Sequence, residues 1–471
     1  MTAIASRAAR FMSAPRPAVL AAAIVAPLVP VLGYLAATRP TDALALAVLA
    51  TVTVALLSDL TVGICIFVAV QFALPIFPVG ILAKFLGFAL VARWVLEMLL
   101  PDPARPLKSF ARRYPVMTAF VVASLVYALL TAIWAPAPST VFSTVERYAL
   151  NVVLFATIFA ASRSQSALRW IGAAIAIGGA LTIIALVAAG VSLDSSQLGS
   201  ASVDANEFAM TLVASVFFAV LMTILGRSGA ERLFFMGVVA VDFYGLLLTG
   251  SRGGYVALLV ALAAWVVAGG RWRNRLAFGA LIALVLAVTY VAVAAPAVQR
   301  DRVETVLGIG NQPVDRSGTG RTSIWEVGWR AFKDRPLEGF GYGTFRDVTP
   351  HYLLRDPGLI PDSRFILTPL VAHNTYLQSL VEVGILGSLL FFAPIVGALV
   401  AFLVAARRFQ RMGNEQLELF ARTGFAALVG VMAASFFISE GLAKILWILV
   451  GLAFGLCDLY RPQSRSEPAE P

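Results

Sequence analysis

Two arginines and a histidine carry most of the chemistry that this sequence offers. Arg252 stands in Gly250-Ser251-Arg252-Gly253-Gly254-Tyr255, a turn between two apolar runs. Arg321 closes Ser317-Gly318-Thr319-Gly320-Arg321, just ahead of an amphipathic stretch. His373 opens His373-Asn374, which is followed after nine residues by Gly384-Ile385-Leu386-Gly387. A guanidinium is always charged, and its fork of donors matches phosphate oxygens. An imidazole titrates near neutral pH and can take a proton as a general base. Charge beside a membrane helix is costly and usually marks function. Residues of these types at the lips of apolar helices fit a site for an anionic, lipid-linked substrate.

Each residue also has a plainer reading. Arg252 could snorkel or form an ion pair that anchors a helix end. Arg321 could be a solvated arginine in a loop. Against that, the glycines before it let the backbone approach a ligand, and a following helix N-terminus would offer free N–H groups. A lone histidine is more often structural than catalytic, and Asn374 can cap the helix that follows. Glu382 lies nine residues beyond His373, about 13 Å along a helix. That is too far for pairing, so it reads as a helix-packing polar residue. In Asp204-Ala205-Asn206-Glu207-Phe208, Asp204 is the expected cap of the next apolar run. Glu146 and Arg147 are expected to pair with each other. Asp59, Lys84 and Asp242 are isolated polar residues without an assigned role.

The elements that must position these residues are membrane helices. Hydrophobic residues make up 59% of the 471 and charged ones 13%, with a mean hydropathy of +0.85. That composition excludes an ordinary soluble domain. Apolar stretches long enough to cross a hydrocarbon core of ~30 Å recur almost end to end. They fall near 18–38, 43–58, 61–78, 80–99, 115–134, 146–162, 168–190, 205–226, 232–249, 253–269, 275–295, 374–405, 421–438 and 443–460. Those at 43–58, 61–78 and 80–99 are short or crowded, so the sequence predicts an all-α polytopic membrane protein of about 12–14 spans. The run at 18–38 follows basic residues like a signal sequence, but no cleavage site ends it, so it reads as the first span.

The net charge of +10 does not indicate nucleic acid. Its arginines fall in alternate connections, among them Arg112 and Arg113, Arg163 and Arg169, Arg271 and Arg273, and Arg407 and Arg408. The positive-inside rule puts these in the cytoplasm, together with both termini, and leaves residues 296–373 outside. Cys65 and Cys457 lie in apolar runs and give neither a disulfide framework nor a metal spacing. The chain thus divides into a helix block at 1–295, an extracytoplasmic loop at 296–373, three helices at 374–460 and a polar, disordered tail at 461–471.

The loop reads as folded. It carries near-balanced charge with interleaved aromatics. Ile324, Val327, Gly328 and Ala331 recur at helical spacing between Ser323 and Lys333, with Trp325, Trp329 and Phe332 extending the face. Pro336 ends this helix, and Gly339-Phe340-Gly341-Tyr342-Gly343 makes a turn. No nucleotide-binding fingerprint and no carboxylate cluster stand out, so no cofactor is expected and the chemistry reads as metal-independent.

The His373-Asn374-x9-Gly384-x2-Gly387 run resembles the signature of the O-antigen ligases, within a wider ligase and polymerase superfamily. Gly250-Ser251-Arg252-Gly253, Asn206-Glu207-Phe208-Ala209 and the Arg321 to Phe345 stretch look like the same family and occur in its order. The resemblance covers roughly residues 200–450. It implies a GT-C-like fold and an inverting glycosyl transfer from a glycan on undecaprenyl pyrophosphate to an acceptor hydroxyl, most readily a lipid A core sugar. Arg252 and Arg321 would bind the pyrophosphate. His373 would orient or deprotonate the acceptor. Asn206, Ser251, Arg316 and Asn374 complete the expected binding set. Twelve helices are usual for the ligases, fewer than the fourteen segments here, which leaves a polysaccharide polymerase as the rival within the superfamily. A lipid-linked oligosaccharide transporter would place its charges near the bilayer midplane and show repeat symmetry. Here the candidates gather at one lip.

Overall fold

A computed structural model of the chain describes residues 30, 34, 37–73, 80–99, 109–188, 190, 204–293, 321–355, 371–439 and 441–459. These residues are helical throughout, with no strand among them. The helices are α1 Pro40–Ser58, α2 Leu60–Ala73, α3 Gly80–Leu99, the short α4 Phe110–Arg113, α5 Pro115–Leu130, α6 Pro138–Ala161, α7 Gln165–Ala188 and α8 Ala205–Ile224. They continue as α9 Gly229–Leu248, α10 Arg252–Val267, α11 Arg273–Val293, α12 Arg321–Asp334, α13 Phe345–Arg355, α14 Thr375–Arg411, α15 Glu415–Ala434 and α16 Lys444–Asp458.

Local chemistry sets the boundaries. Pro40, Pro115 and Pro138 stand at helix starts, where the missing N–H costs nothing. Side chains of Asp204, Ser228, Ser251, Asn374 and Asn414 cap the helices that follow them. Asp204 accepts from the N–H groups of Asn206 and Glu207, as its position predicts.

Thirteen of the fourteen expected segments coincide with helices, and the segment at 18–38 lies almost wholly outside the described residues. Among the described residues, seven helices are long and apolar enough to cross a membrane: Pro115–Ile133, Pro138–Ala161, Gln165–Ala188, Ala205–Ile224, Gly270–Tyr290, Thr375–Arg411 and Glu415–Ala434. Among the described residues, four of the other expected segments are shorter or carry more charge. Leu60–Gln71 and Arg252–Val267 are shorter apolar helices. Within α3 stand Lys84, Arg93 and Glu97, and within α9 Glu231, Arg232 and Asp242.

Burial makes α8 and α15 the centre of the bundle, with 72% and 78% of their apolar windows inside. α10 and α14 pack on α15, α7 and α9 pack on α8, and α6 packs on α16. Trp447, Tyr148 and Phe391 form one aromatic cluster of the core. At one end, the arginines of the connections are tied down. Arg163 pairs with Glu97, Arg169 with Glu231, Arg271 and Arg422 with Glu418, and Arg113 with Asp458. The opposite end is built from the starts of α6, α8, α10, α14 and α16. There α12 and α13 form a small core of their own against α14, from Ile324, Ala331, Phe345, Val348, Ala372 and Val381.

Candidate functional site

Arg252 is placed by a turn that only small residues can make. Gly250 has φ +60°, and the chain reverses there from α9 into α10. Ser251 Oγ accepts the Gly254 N–H at 3.0 Å and donates to Asn206 Oδ1 at 2.7 Å. Two of the expected binding residues, Asn206 and Ser251, are therefore directly bonded. A Cβ on Gly253 would stand 2.6 Å from the Phe437 side chain, and one on Gly254 2.6 Å from Ala209. The motif packs α10 tightly on its neighbours and leaves Arg252, its first helical residue, exposed.

His373 forms the turn before α14 with φ +47°, the one non-glycine residue with positive φ among those described. Histidine visits this left-handed region more readily than most side chains, but at a cost the surroundings must hold. They do so through the two residues that follow. Asn374 Oδ1 accepts from the N–H groups of Tyr376 and Leu377, both at 3.0 Å, as a cap. Thr375 N–H donates to the Ser435 carbonyl at 2.9 Å, and Thr375 Oγ1 donates to the Ile438 carbonyl at 2.7 Å.

α12 buries the face expected of it: Ile324, Val327, Gly328 and Ala331 point inward. Trp325 Nε1 donates to the Ala372 carbonyl at 2.8 Å, and its ring meets Phe436 edge-on at 5.5 Å. Arg321 is the first residue of this helix, one turn before Trp325. Its side chain, and Arg316 and the Ser317 to Gly320 stretch altogether, lie outside the described residues.

One short segment is common to all three neighbourhoods. Phe437 packs on Gly253, Phe436 on Trp325, and Ser435 and Ile438 bond to Thr375. The start of α10, the first turns of α12 and the His373 turn thus gather around residues 435–438, where α15 ends.

Glu382 corrects the sequence reading. It does not pack helix on helix; it holds the glycine turn. Its buried carboxylate accepts from Gly343 N–H at 2.8 Å, Phe345 N–H at 3.4 Å and Gln378 Nε2 at 2.7 Å. Two residues later α14, expected as one uninterrupted helix, is broken. Gly384 has φ +63° and ψ −169°. The turn fills the break. Phe340 and Gly341 N–H donate to the carbonyls of Val381 and Glu382, and Ile385 and Leu386 N–H donate to those of Pro336 and Leu337. Trp134 Nε1 on the far side donates to the Gly339 carbonyl at 3.2 Å. Tyr342 is buried in this turn. Burial pushes its hydroxyl well above the ordinary range, Tyr148 and Glu382 push the same way, and Arg147 opposes them.

Glu146 and Arg147 form no ion pair with each other. Adjacent helical positions point apart, and both side chains are exposed. Lys444, inside an apolar run and without a role in the sequence reading, donates to Gln71 Oε1, and its charge interacts with that of Glu207 beside Asn206. Two signals could have drawn attention to Glu382: a carboxylate inside an apolar helix, and a run of alternating glycines that needed something to hold it. Among the described residues no group of three His, Cys, Asp or Glu side chains could hold a metal ion.

No curated protein matches the chain. The O-antigen ligase family model matches residues 236–392, about a third of the chain. That stretch contains Ser251, Arg252, Arg321, His373, Asn374 and Glu382, and runs from α9 into the broken α14. Over residues 236–392 this helical chain is therefore similar to the O-antigen ligase family.

Proposed function

We propose that the chain is an O-antigen ligase-type glycosyltransferase with a GT-C-like fold. It moves a glycan from undecaprenyl pyrophosphate to an acceptor hydroxyl, a lipid A core sugar, on the outer face of the inner membrane. The observation that carries the reading is the gathering of the α10 start, the first turns of α12 and the His373 turn around residues 435–438.

The chemistry follows from the residue types. The acceptor oxygen attacks the anomeric carbon from the face opposite the pyrophosphate, so the configuration inverts. The carbon–oxygen bond to the pyrophosphate breaks, and its electron pair stays on the phosphate. His373 takes the acceptor proton as the new bond forms. Arg252 and Arg321 meet the charge that develops on the leaving pyrophosphate, the point at which fixed positive charge lowers the barrier most. Arg316, Asn206, Ser251 and Asn374 are the further residues assigned to substrate binding. Guanidinium groups supply the charge, so the transfer proceeds without a metal.

The test is an in vitro transfer with purified full chain, undecaprenyl-pyrophosphate glycan and alternative acceptors. Transfer to a lipid A core acceptor supports the ligase. Transfer only to a second repeat unit makes the enzyme a polymerase. No transfer to any hydroxyl, with movement of the lipid-linked glycan across proteoliposomes, would make it a transporter.

A further inference from the structure

A polar cavity of about 310 Å³ opens beside the His373 turn, and no role has been given to it above. Its walls come from α6, the glycine turn, the first turns of α14 and the segment before α16. Val371 and Thr375, the residues on either side of the Ala372 to Asn374 turn, both line it. So do Ser439, Gly441 and Leu442. The segment from 435 to 442 therefore has the Arg252 and Trp325 neighbourhoods at one end and this cavity at the other, with the His373 turn bonded between them.

The polar atoms of the cavity are arranged for a ligand. Arg147 and Arg346 both line it, and neither forms an ion pair among the described residues. Glu382, the one carboxylate among the described residues of the wall, already accepts from Gly343, Phe345 and Gln378. Because Gln378 Nε2 donates to that carboxylate, its Oε1 is fixed as the atom pointing elsewhere. Gln378 Oε1 is buried with no hydrogen-bond partner, and so is Ser439 Oγ. Buried polar atoms are normally satisfied, and an exception in a cavity wall asks for a partner from outside the chain. Phe391 and Phe345 add apolar contact. The volume sits at the lower end of the ~300–1,000 Å³ of small-molecule sites, the size for one substituted sugar ring rather than an oligosaccharide.

Resting on the glycosyltransferase reading above, we infer that this cavity is the acceptor subsite and takes a sugar residue bearing a carboxylate or phosphate. The two guanidinium groups hold the anion, and Gln378 Oε1 and Ser439 Oγ take ring hydroxyls. That places an acceptor hydroxyl beside His373 while the donor pyrophosphate lies at the other end of the 435–442 segment.

Binding of glucuronate, glucose 6-phosphate and glucose to the full chain in nanodiscs, read by saturation-transfer NMR, with inorganic phosphate read by its competition against glucose 6-phosphate, tests this directly. Both anionic sugars should bind, at least tenfold more tightly than glucose or inorganic phosphate. R147Q and R346Q together should abolish the preference, while R147K with R346K retains part of it. Undecaprenyl pyrophosphate binding should survive in the same variants. Equal binding of glucose, binding of inorganic phosphate as strong as that of the sugar phosphate, or an unchanged preference in the R147Q/R346Q protein would overturn the assignment. R252A separates the two proposals. Sugar binding retained there supports the subsite even if transfer from the lipid-linked donor is never observed, and sugar binding lost there removes it.

Discussion

Glu382 accepts the backbone N–H of Gly343 at 2.8 Å, joining a membrane helix to a glycine turn 39 residues earlier in the chain. The same carboxylate accepts from Phe345 and Gln378, so one side chain fixes the wall between the aqueous segment and α14. Glu382→Ala would strand the Gly343 N–H and free Gln378. Each buried donor left unpaired costs about 1–3 kcal/mol. The variant should unfold at clearly lower temperature in detergent, and limited proteolysis should cut within residues 336–345. An unchanged melting temperature would mean that the turn is held by other contacts.

Gly384 is expected to tolerate no side chain. Its φ is +63°, and a Cβ there would stand 2.2 Å from the Leu337 carbonyl oxygen. Gly384→Ala should destabilise by more than the ~1 kcal/mol typical of a point substitution. Size-exclusion profiles and thermal unfolding of the purified variant are the check. A Gly397→Ala control in the lower part of α14 meets mainly the flexible Met117 side chain and should be milder.

Arg252→Ala and Arg321→Ala should each lower single-turnover transfer by on the order of 10²-fold, the loss seen when one charge-stabilising donor is removed. Arg252 is exposed at the first helical position, so its removal should leave the fold intact. Lysine should rescue poorly, because it cannot make a bidentate contact to phosphate. Near-normal transfer in both alanine variants would detach these residues from the reaction.

His373→Ala should spare donor binding and impair transfer, since its assigned partner is the acceptor. The backbone there is left-handed at φ +47°, so alanine also carries a conformational cost. His373→Asn tolerates that conformation better and serves as the folded comparison. If His373→Asn transfers glycan at the normal rate, no imidazole is needed and the base lies elsewhere.

Transfer should persist in excess EDTA, because the proposed mechanism meets the pyrophosphate charge with guanidinium groups. Complete loss of activity that magnesium or manganese restores would show that a divalent ion shares that work.

Much of the architecture was legible because membrane helices announce themselves locally. Length, apolarity and caps such as Asp204 and Asn374 all lie within a few residues of what they determine. The buried face of α12 was legible for the same reason, since Ile324, Val327, Gly328 and Ala331 repeat at the helical period. What escaped depends on pairs distant in sequence. The break at Gly384 is flanked by apolar helix on both sides, and its repair comes from Pro336 and Leu337. Glu382 follows His373 by nine residues in sequence, while two of its three partners, Gly343 and Phe345, sit in another segment. The expected Glu146–Arg147 pair assumed that adjacency in sequence means proximity of side chains, which a helix does not provide. The convergence on residues 435–438 had no sequence signature, because that segment contributes mostly backbone carbonyls and phenylalanine rings.

The interrupted α14 also constrains how the protein folds. Inside a bilayer no water is present to satisfy backbone groups exposed by a break. The carbonyls of Val381 and Glu382 find their donors in Phe340 and Gly341, which belong to a polar stretch synthesised earlier. Completing the wall of α14 therefore requires residues 336–341 to be in place, and four backbone hydrogen bonds make two segments distant in sequence one folding unit.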